Sequence, residues 1–466
     1  MDTSTIAAIA TPLGKGGIGI IKISGEAAVP IATSIFKKSG LEFKEEKTNS
    51  SSFESHRLYH GYIINPKSGN VLDEVLLSVM KAPRSYTRED VVEINSHSGT
   101  VVLSTVLELV LNMGARLAEP GEFTKRAYLH GRIDLTQAEG VIDVINARTE
   151  KSLKIAGAQL NGTLAKTVRS IRDALLGMLV EMEATIDFPD DVEEISSAGA
   201  CIHTLQRAVI QPLQFLLDRY QSGHAYRDGI KMAVVGRPNV GKSSLVNRLI
   251  QKDRIIVTAI PGTTRDLIEE TLDIRGIPVT ITDTAGLHRT TDPVETIGIQ
   301  KTQAYVRSSD LILFMVDASR PINDEDYDIY RGFRKQKSIL VINKSDLVDG
   351  NYNHPVPSAW EMPRIMTSAL YNRGIDDLKN MIANDFIGNG VLCNGDGIVP
   401  NLRHKKSLEK CIQTAHSALV GFRENTPEEL IAIDMKEAVG FLDEILGLSA
   451  NGKIVDEIFQ RFCIGK

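Results

Sequence analysis

Residues Gly236-Arg237-Pro238-Asn239-Val240-Gly241-Lys242-Ser243 match the pattern G-x-x-x-x-G-K-[ST]. The run at 232–235 before them reads as a buried strand, and the run at 244–250 after them as a helix. A strand–glycine loop–helix unit of this kind commits its surroundings to an α/β sheet. The loop must turn backbone N–H groups toward an anion at the positive end of a helix, beside the carboxyl ends of parallel strands. Apolar strand runs at 231–235, 279–282, 311–316 and 339–342 alternate with helical stretches, which bounds the unit at about 229–382.

The other strand ends decide which anion. Asn239, Val240, Gly241, Lys242, Ser243 and Ser244 form the phosphate-facing set. Lys242 is expected to reach the β- and γ-phosphates, and Ser243 to place its hydroxyl on Mg²⁺. Asp283-Thr284-Ala285-Gly286 ends a second strand, where Asp283 suits the magnesium shell and the Gly286 N–H a γ-phosphate. Asn343-Lys344-Ser345-Asp346 ends a third. Asp346 can accept both the ring N–H and the exocyclic amine of guanine, donors that adenine lacks there. Ser368-Ala369-Leu370 follows a short strand and supports the base. The loop Thr258-Ala259-Ile260-Pro261-Gly262-Thr263-Thr264 is the expected first switch, with Thr264 giving Mg²⁺ a second hydroxyl. The ligand expected from this order of elements is GTP.

One position is informative for what it lacks. Ras-type enzymes carry a Gln directly after Asp-x-x-Gly to orient the attacking water, whereas this chain has Leu287. Either hydrolysis is very slow or another group assists. Asn239, with carbonyls of the 258–264 loop, is suited to a monovalent cation beside the β–γ bridge. Glu295 is a candidate to orient water, although spacing alone favours a solvated helix glutamate.

The rest of the 466 residues is organised differently. Residues 1–120 are rich in β-branched runs (18–23, 71–79, 91–94), with a helix expected over 100–113 and a polar loop over 44–55. Residues 121–228 are helical, and Leu160, Leu164, Val168, Ile171, Leu175, Met178 and Met182 form one apolar stripe. Residues 383–466 return to helices, so the α/β unit reads as an insertion into a helical domain of two halves, the alternative being two separate helical domains. A net charge of -6 excludes a surface that coats nucleic acid, so any RNA contact is a local basic patch. Arg403-His404-Lys405-Lys406 and Lys166, Arg169 and Arg172 are the candidates, against solvated helix faces. No apolar run approaches the roughly 20 residues that span a bilayer, and Met1–Ser4 opens no secretory signal. The 4 cysteines, Cys201, Cys393, Cys411 and Cys463, form no CxxC pair, which fits a reducing cytoplasm and no zinc site.

Three features carry a family resemblance: Pro261-Gly262-Thr263-Thr264-Arg265-Asp266, the stretch from Pro120 to Glu139 (PGEFTKRAYLHGRIDLTQAE), and the ending Phe462-Cys463-Ile464-Gly465-Lys466. Together with the nucleotide motifs, they resemble the MnmE (TrmE) family of bacterial tRNA-modification GTPases over essentially the whole chain. The resemblance implies a multidomain fold. Its parts are an N-terminal α+β folate-binding domain similar to aminomethyltransferases, a discontinuous α-helical domain, and an inserted Ras-like α/β P-loop G domain. It implies a homodimer whose G domains pair when GTP and potassium are bound. It further implies a flavoprotein partner, MnmG (GidA), in a heterotetramer. Together the two proteins place a carboxymethylaminomethyl or aminomethyl group on carbon five of the tRNA wobble uridine. A formyl- or methylene-tetrahydrofolate supplies the one-carbon unit.

By position, Asn239, Thr258, Ile260 and Thr263 match the potassium loop, and Glu295 matches the water-orienting glutamate, the catalytic partner of Lys242. Lys22, Glu93, Arg132 and Lys466 match the folate site. Relatives more often carry Arg and Lys at the positions of Lys22 and Arg132; charge is kept, but hydrogen-bond geometry is not. Without the resemblance, Lys22 and Glu93 read as polar faces of half-buried strands. Cys463 belongs to the matching tail and is either a nucleophile or a structural terminus. A ribosome-assembly GTPase switch is the alternative reading of the G motifs, and a small-molecule folate enzyme regulated by GTP is a third.

Overall fold

The computed structural model describes residues 4–14, 16–39, 53–187, 198–253, 269–282, 304–349, 354–387, 397–449 and 452–466. The chain divides into two compact units, Met1–Ile142 with Asp443–Lys466, and Asp143–Leu442.

The first unit is built on seven strands: β1 (Ile6–Ile9), β2 (Ile18–Ser24), β3 (Phe36–Lys38), β4 (Arg57–Ile64), β5 (Val71–Met80), β6 (Val91–His97) and β7 (Arg116–Leu117). Their order is β3-β4-β5-β6-β2-β1-β7. All neighbours are antiparallel except β1 and β7. Side chains alternate across such strands, so each strand divides its residues between two faces. Ile21, Ile23, Leu77, Val79, Val92 and Ile94 fill one face, against Ile31 of the helix Ala28–Ile35 and Leu103 and Val106 of the helix Thr100–Asn112. Lys22 and Glu93 stand directly opposite each other in the β2–β6 register, on the other face. The chain's end returns to this unit, where Val455, Ile458, Phe459 and Phe462 pack on Leu135 and Ala138.

The second unit holds the six-stranded sheet β13-β12-β11-β8-β10-β9. Its strands are β8 (Ile230–Val235), β9 (Glu269–Ile274), β10 (Ile277–Thr282), β11 (Leu311–Asp317), β12 (Ser338–Asn343) and β13 (Arg364–Met366). Pairing is parallel except at the β9 edge. Both faces are covered, which is why the central strands read as unbroken apolar runs. Met232, Val234, Leu313, Met315 and Val341 meet Leu245, Leu249, Leu378 and Ile382 on one side. Ala233, Ile312, Phe314, Leu340 and Ile342 meet Phe333 and Trp360 on the other. Each large apolar side chain buried this way contributes about 1.5–3 kcal/mol relative to exposure.

The stripe expected from Leu160 to Met182 is split. Helix Glu150–Leu160 ends, Gly162 takes φ 76°, and a new helix runs Thr163–Asp187. Leu164, Val168, Ile171, Leu175, Met178 and Met182 share the buried face of that second helix. The Asn-Gly pair interrupts a period that hydrophobicity alone continues. Helix Gln211–Asp228, before the sheet, packs against helix Leu402–Glu424, after it. No helix among the described residues is long and apolar enough to cross a membrane.

Candidate functional site

The loop between β8 and the helix Lys242–Asp253 has the backbone its sequence requires. Asn239 sits at φ 64° and Gly241 at φ 101°, which turns the chain tightly ahead of the helix start. Leu245 N–H donates to Gly241 O at 2.9 Å, so the helix begins directly behind the loop. A Cβ on Gly241 would lie 2.2 Å from Asn343 Nδ2. Gly241→Ala is therefore expected to weaken guanine-nucleotide binding by at least ~100-fold, since neither backbone nor amide has room to yield. Equilibrium binding of a fluorescent GDP, with melting of the nucleotide-free chain as control, checks this. Lys242 Nζ donates to Gly236 O and Arg237 O at 2.7 and 2.8 Å, which holds the ammonium across the loop.

The second wall comes from the ends of β12 and β13. Asn343 is buried; its Nδ2 donates to Val240 O at 2.9 Å, and its Oδ1 accepts from Ala369 N–H at 3.1 Å and Thr367 Oγ1 at 3.3 Å. One amide thus ties the phosphate loop to the loop at 368–370. The Ser368 hydroxyl donates to Asp346 Oδ1. Lys344, at φ 63°, extends its Nζ to Asp317 Oδ2 at 2.7 Å. Burial alone would raise the Asp317 carboxyl, but bonds from Lys344 and Ser319 outweigh it and hold it below the usual carboxylate range. A cleft of about 410 Å³ lies between these walls, lined by Gly241, Ser244, Asn343, Lys344, Asp346 and Leu370 among others.

This donor set fits a guanine nucleotide. A carboxylate faces the cleft, backbone N–H groups stand at a helix start, and an ammonium crosses the loop. Ser243 is exposed on the first helical turn, where a hydroxyl suits Mg²⁺. Thr258, Ala259, Ile260, Pro261, Gly262, Thr263, Thr264, Asp283, Thr284, Ala285, Gly286 and Glu295 lie outside the described residues. Of the potassium set, only Asn239 is described.

A second constellation forms in the first unit. Lys22 Nζ lies 3.7 Å from Glu93 Oε1, and 5.4 Å from the ring centroids of both Tyr86 and Phe123. Burial lowers the Lys22 pKa, Glu93 opposes this and Lys466 adds to it; the net shift is downward. The Arg132 guanidinium lies over the Tyr86 ring, 4.7 Å from its centroid, and Tyr86 shares a 2.9 Å hydrogen bond with Thr124. The helix carrying Phe123 and Thr124 is fixed from below. Buried Arg126 bonds Glu89 at 3.0 Å, Glu122 at 2.9 Å and Ser4 O at 2.8 Å. Burial would raise the Glu122 carboxyl; Arg116, the Glu119 N–H and Arg126 together hold it low.

The tail closes the group. Phe123 N–H donates to Lys466 O at 3.1 Å, and Gly121 N–H to Cys463 O at 3.4 Å. Gly465, at φ 94°, passes so close to β1 that a Cβ would lie 2.6 Å from Ile9 O. Cys463 itself is exposed. Three cations, one carboxylate and two aromatic rings therefore meet, a set that fits a flat, amine-edged heterocycle with an anionic tail.

The family resemblance points to Lys22, Glu93, Arg132 and Lys466 but not to Tyr86, whose only signal in the sequence is an aromatic ring in a polar loop. It also missed Asp317 and Arg248 beside the nucleotide cleft. Of the cysteines, Cys393 lies outside the described residues. Cys411 is buried, which pushes its thiol up to about 12. His404 N–H is capped by Asn401 at 2.8 Å. Among the described residues, no group of three or more His, Cys, Asp or Glu could hold a metal. Of the basic candidates, Lys405 pairs with Glu409 at 3.5 Å and Arg172 with Asp173 at 3.6 Å.

Two family models match the chain, one described as "MnmE helical domain" over residues 135–463 and one as "GTP-binding protein TrmE N-terminus" over residues 5–132. The chain is 44% identical to the tRNA modification GTPase MnmE of Carboxydothermus hydrogenoformans, over 100% of both chains. It is 44% identical to that of Acetivibrio thermocellus over 99% of each, and 43% identical to that of Moorella thermoacetica over 100% of each.

Proposed function

The chain belongs to the MnmE family of tRNA modification GTPases, and from that premise we propose that it spends GTP hydrolysis on completing a one-carbon transfer to tRNA. It is a GTP hydrolase that takes part in tRNA modification. In the proposed reaction a homodimer works with the flavoprotein MnmG (GidA) as a heterotetramer. The product carries a carboxymethylaminomethyl or aminomethyl group on carbon five of the wobble uridine. The N-terminal domain holds a tetrahydrofolate derivative, which supplies the one-carbon unit when bound. The helical domain is discontinuous, and the G domain is inserted in it; the packing of Gln211–Asp228 on Leu402–Glu424 supports that reading.

The observation that carries the proposal is the meeting of Lys22, Glu93, Tyr86, Phe123 and the Lys466 terminus on one face of the first unit. In this reading Glu93 accepts the paired N–H edge of the pterin, Tyr86 and Phe123 cover its ring, and Arg132 and Lys466 hold the glutamate tail. Lys22, 3.7 Å from Glu93 Oε1, holds that carboxylate in place on the face. In the second unit Lys242 and Ser243 hold the phosphates with Mg²⁺, aided by Thr264. Asn239, Thr258, Ile260 and Thr263 line the potassium loop, and Glu295 orients water.

The test is nucleoside analysis of tRNA from cells lacking this chain, complemented with the wild type or with Glu93→Gln. The wild type is expected to restore the carbon-five group. Glu93→Gln is expected to restore less than about a tenth of it while retaining GTP hydrolysis, because a pterin donor loses a charged acceptor. A wobble uridine fully modified without the chain would end the proposal. Full restoration by Glu93→Gln would end the folate assignment.

A further inference from the structure

The helix that leaves the phosphate loop, Lys242–Asp253, carries Arg248 toward the loop at 368–370. Arg248 Nε donates to Ala369 O at 3.1 Å and its Nη2 to Leu370 O at 2.9 Å. These are the outer carbonyls of the loop, and Leu370 is 68% exposed. The inner end is held separately. Ser368 N–H and O exchange bonds with the Arg373 backbone at 3.0 and 3.1 Å, and the Ser368 hydroxyl donates to Asp346. Ala369 N–H meets Asn343 Oδ1 at 3.1 Å, and Asn343 Nδ2 returns to Val240 O at 2.9 Å. The bonds close a circuit that runs from phosphate loop to Asn343, to the base loop, to Arg248, and back along one helix to the phosphate loop.

We propose that Arg248 is a positioning residue for guanine recognition, clamping the Ser368–Leu370 loop to the phosphate-loop helix so that base and phosphate contacts form and release together. The proposal rests on reading the cleft as a guanine-nucleotide site and names a residue that sets its selectivity. The planar guanidinium meets the two carbonyls from separate nitrogens held in one rigid fork, whereas a lysine ammonium offers a single nitrogen with no fixed donor plane. Freed at its outer end, the loop leaves Ser368 and Asp346 less fixed, and Asp346 is the acceptor for the guanine amine. Hypoxanthine lacks that amine, so GDP is expected to suffer more than inosine diphosphate.

The experiment uses the full chain and measures release of a fluorescent GDP by stopped flow, with equilibrium constants for GDP and inosine diphosphate. For Arg248→Ala, GDP release is expected to quicken about tenfold and the GDP preference to shrink several-fold, the scale of two lost hydrogen bonds. Arg248→Lys is expected to recover part of both. Melting of the nucleotide-free variants identifies any that fail to fold, in which case Arg248→Lys alone carries the comparison. Wild-type release from Arg248→Ala, or from Arg248→Lys where that variant alone is folded, overturns the proposal. So does an equal loss for the two nucleotides, which marks a brace for the phosphate loop only. A wild-type chain with no preference for GDP over inosine diphosphate would instead overturn the reading of the cleft.

Discussion

Asp346→Asn is expected to turn a guanine-preferring protein into a xanthine-preferring one. The wild-type carboxylate is acceptor-only and stands in the cleft with one oxygen already receiving the Ser368 hydroxyl. Its free acceptor capacity suits two donors side by side, the N1–H and the 2-amino group of guanine. Xanthine presents a carbonyl in place of that amine, so the wild type sets oxygen against oxygen. An asparagine amide can donate to that carbonyl and still accept from N1–H. Losing a charge-assisted pair costs about 1.5–3 kcal/mol, or roughly 10- to 150-fold in GDP affinity. The gain for xanthosine diphosphate should be of similar size, so the ratio of the two constants moves by at least ~100-fold. Titration of both nucleotides into wild type and variant checks this. A variant that still prefers guanine would show that Asp346 does not read the base.

The nucleotide cleft was legible in the sequence because its parts are local. Each motif sits within a few residues of a strand end, and β8, β10, β11 and β12 announce themselves as apolar runs because both faces are covered. β9 was not legible. Its sequence, Glu269-Glu270-Thr271-Leu272-Asp273-Ile274, has only Leu272 and Ile274 as apolar residues, as an antiparallel edge strand allows, and no apolar run marks it. Arg248 was equally silent, since its partners are backbone carbonyls more than a hundred residues away and any side chain can precede a carbonyl. The constellation in the first unit joins residues 22, 86, 93, 123, 132 and 466, which no spacing rule connects. There the resemblance supplied four positions, and tertiary structure alone brought Tyr86 and Phe123 to them. The stripe from Leu160 shows the opposite failure: a pattern in hydrophobicity outlasted the helix that was inferred from it, because a glycine in the left-handed region ends one helix and lets the next take up the same phase.

GTP hydrolysis by the full chain is expected to run at least ~10-fold faster in potassium than in sodium, and to rise per molecule with protein concentration. The motive lies in Leu287, an alkyl side chain directly after Asp283-Thr284-Ala285-Gly286, which can neither accept a proton from water nor donate to a phosphate oxygen. A pocket that reads guanine through Asn343, Asp346 and Ser368, as proposed, still has no Gln at the position that lines up the nucleophile in Ras-type enzymes. What a cation beside the β–γ bridge supplies is positive charge where the leaving oxygen becomes negative. In the proposed function, orienting water falls to Glu295. Glu295→Ala is accordingly expected to keep GDP affinity near wild type while slowing single-turnover hydrolysis about 100-fold, the signature of an interaction made only in the transition state. Rapid quench at saturating GTP separates the two. Potassium and dimerisation act on the same step in this account. Glu295→Ala should therefore lose most of its potassium response, because a charge placed at the phosphates accelerates little when no water is aligned. A variant with weakened binding and normal turnover would assign Glu295 to the nucleotide rather than to water. Dilute wild-type protein that turned over just as fast in sodium would remove the need for either helper, and with it the reason that hydrolysis should wait for a partner subunit.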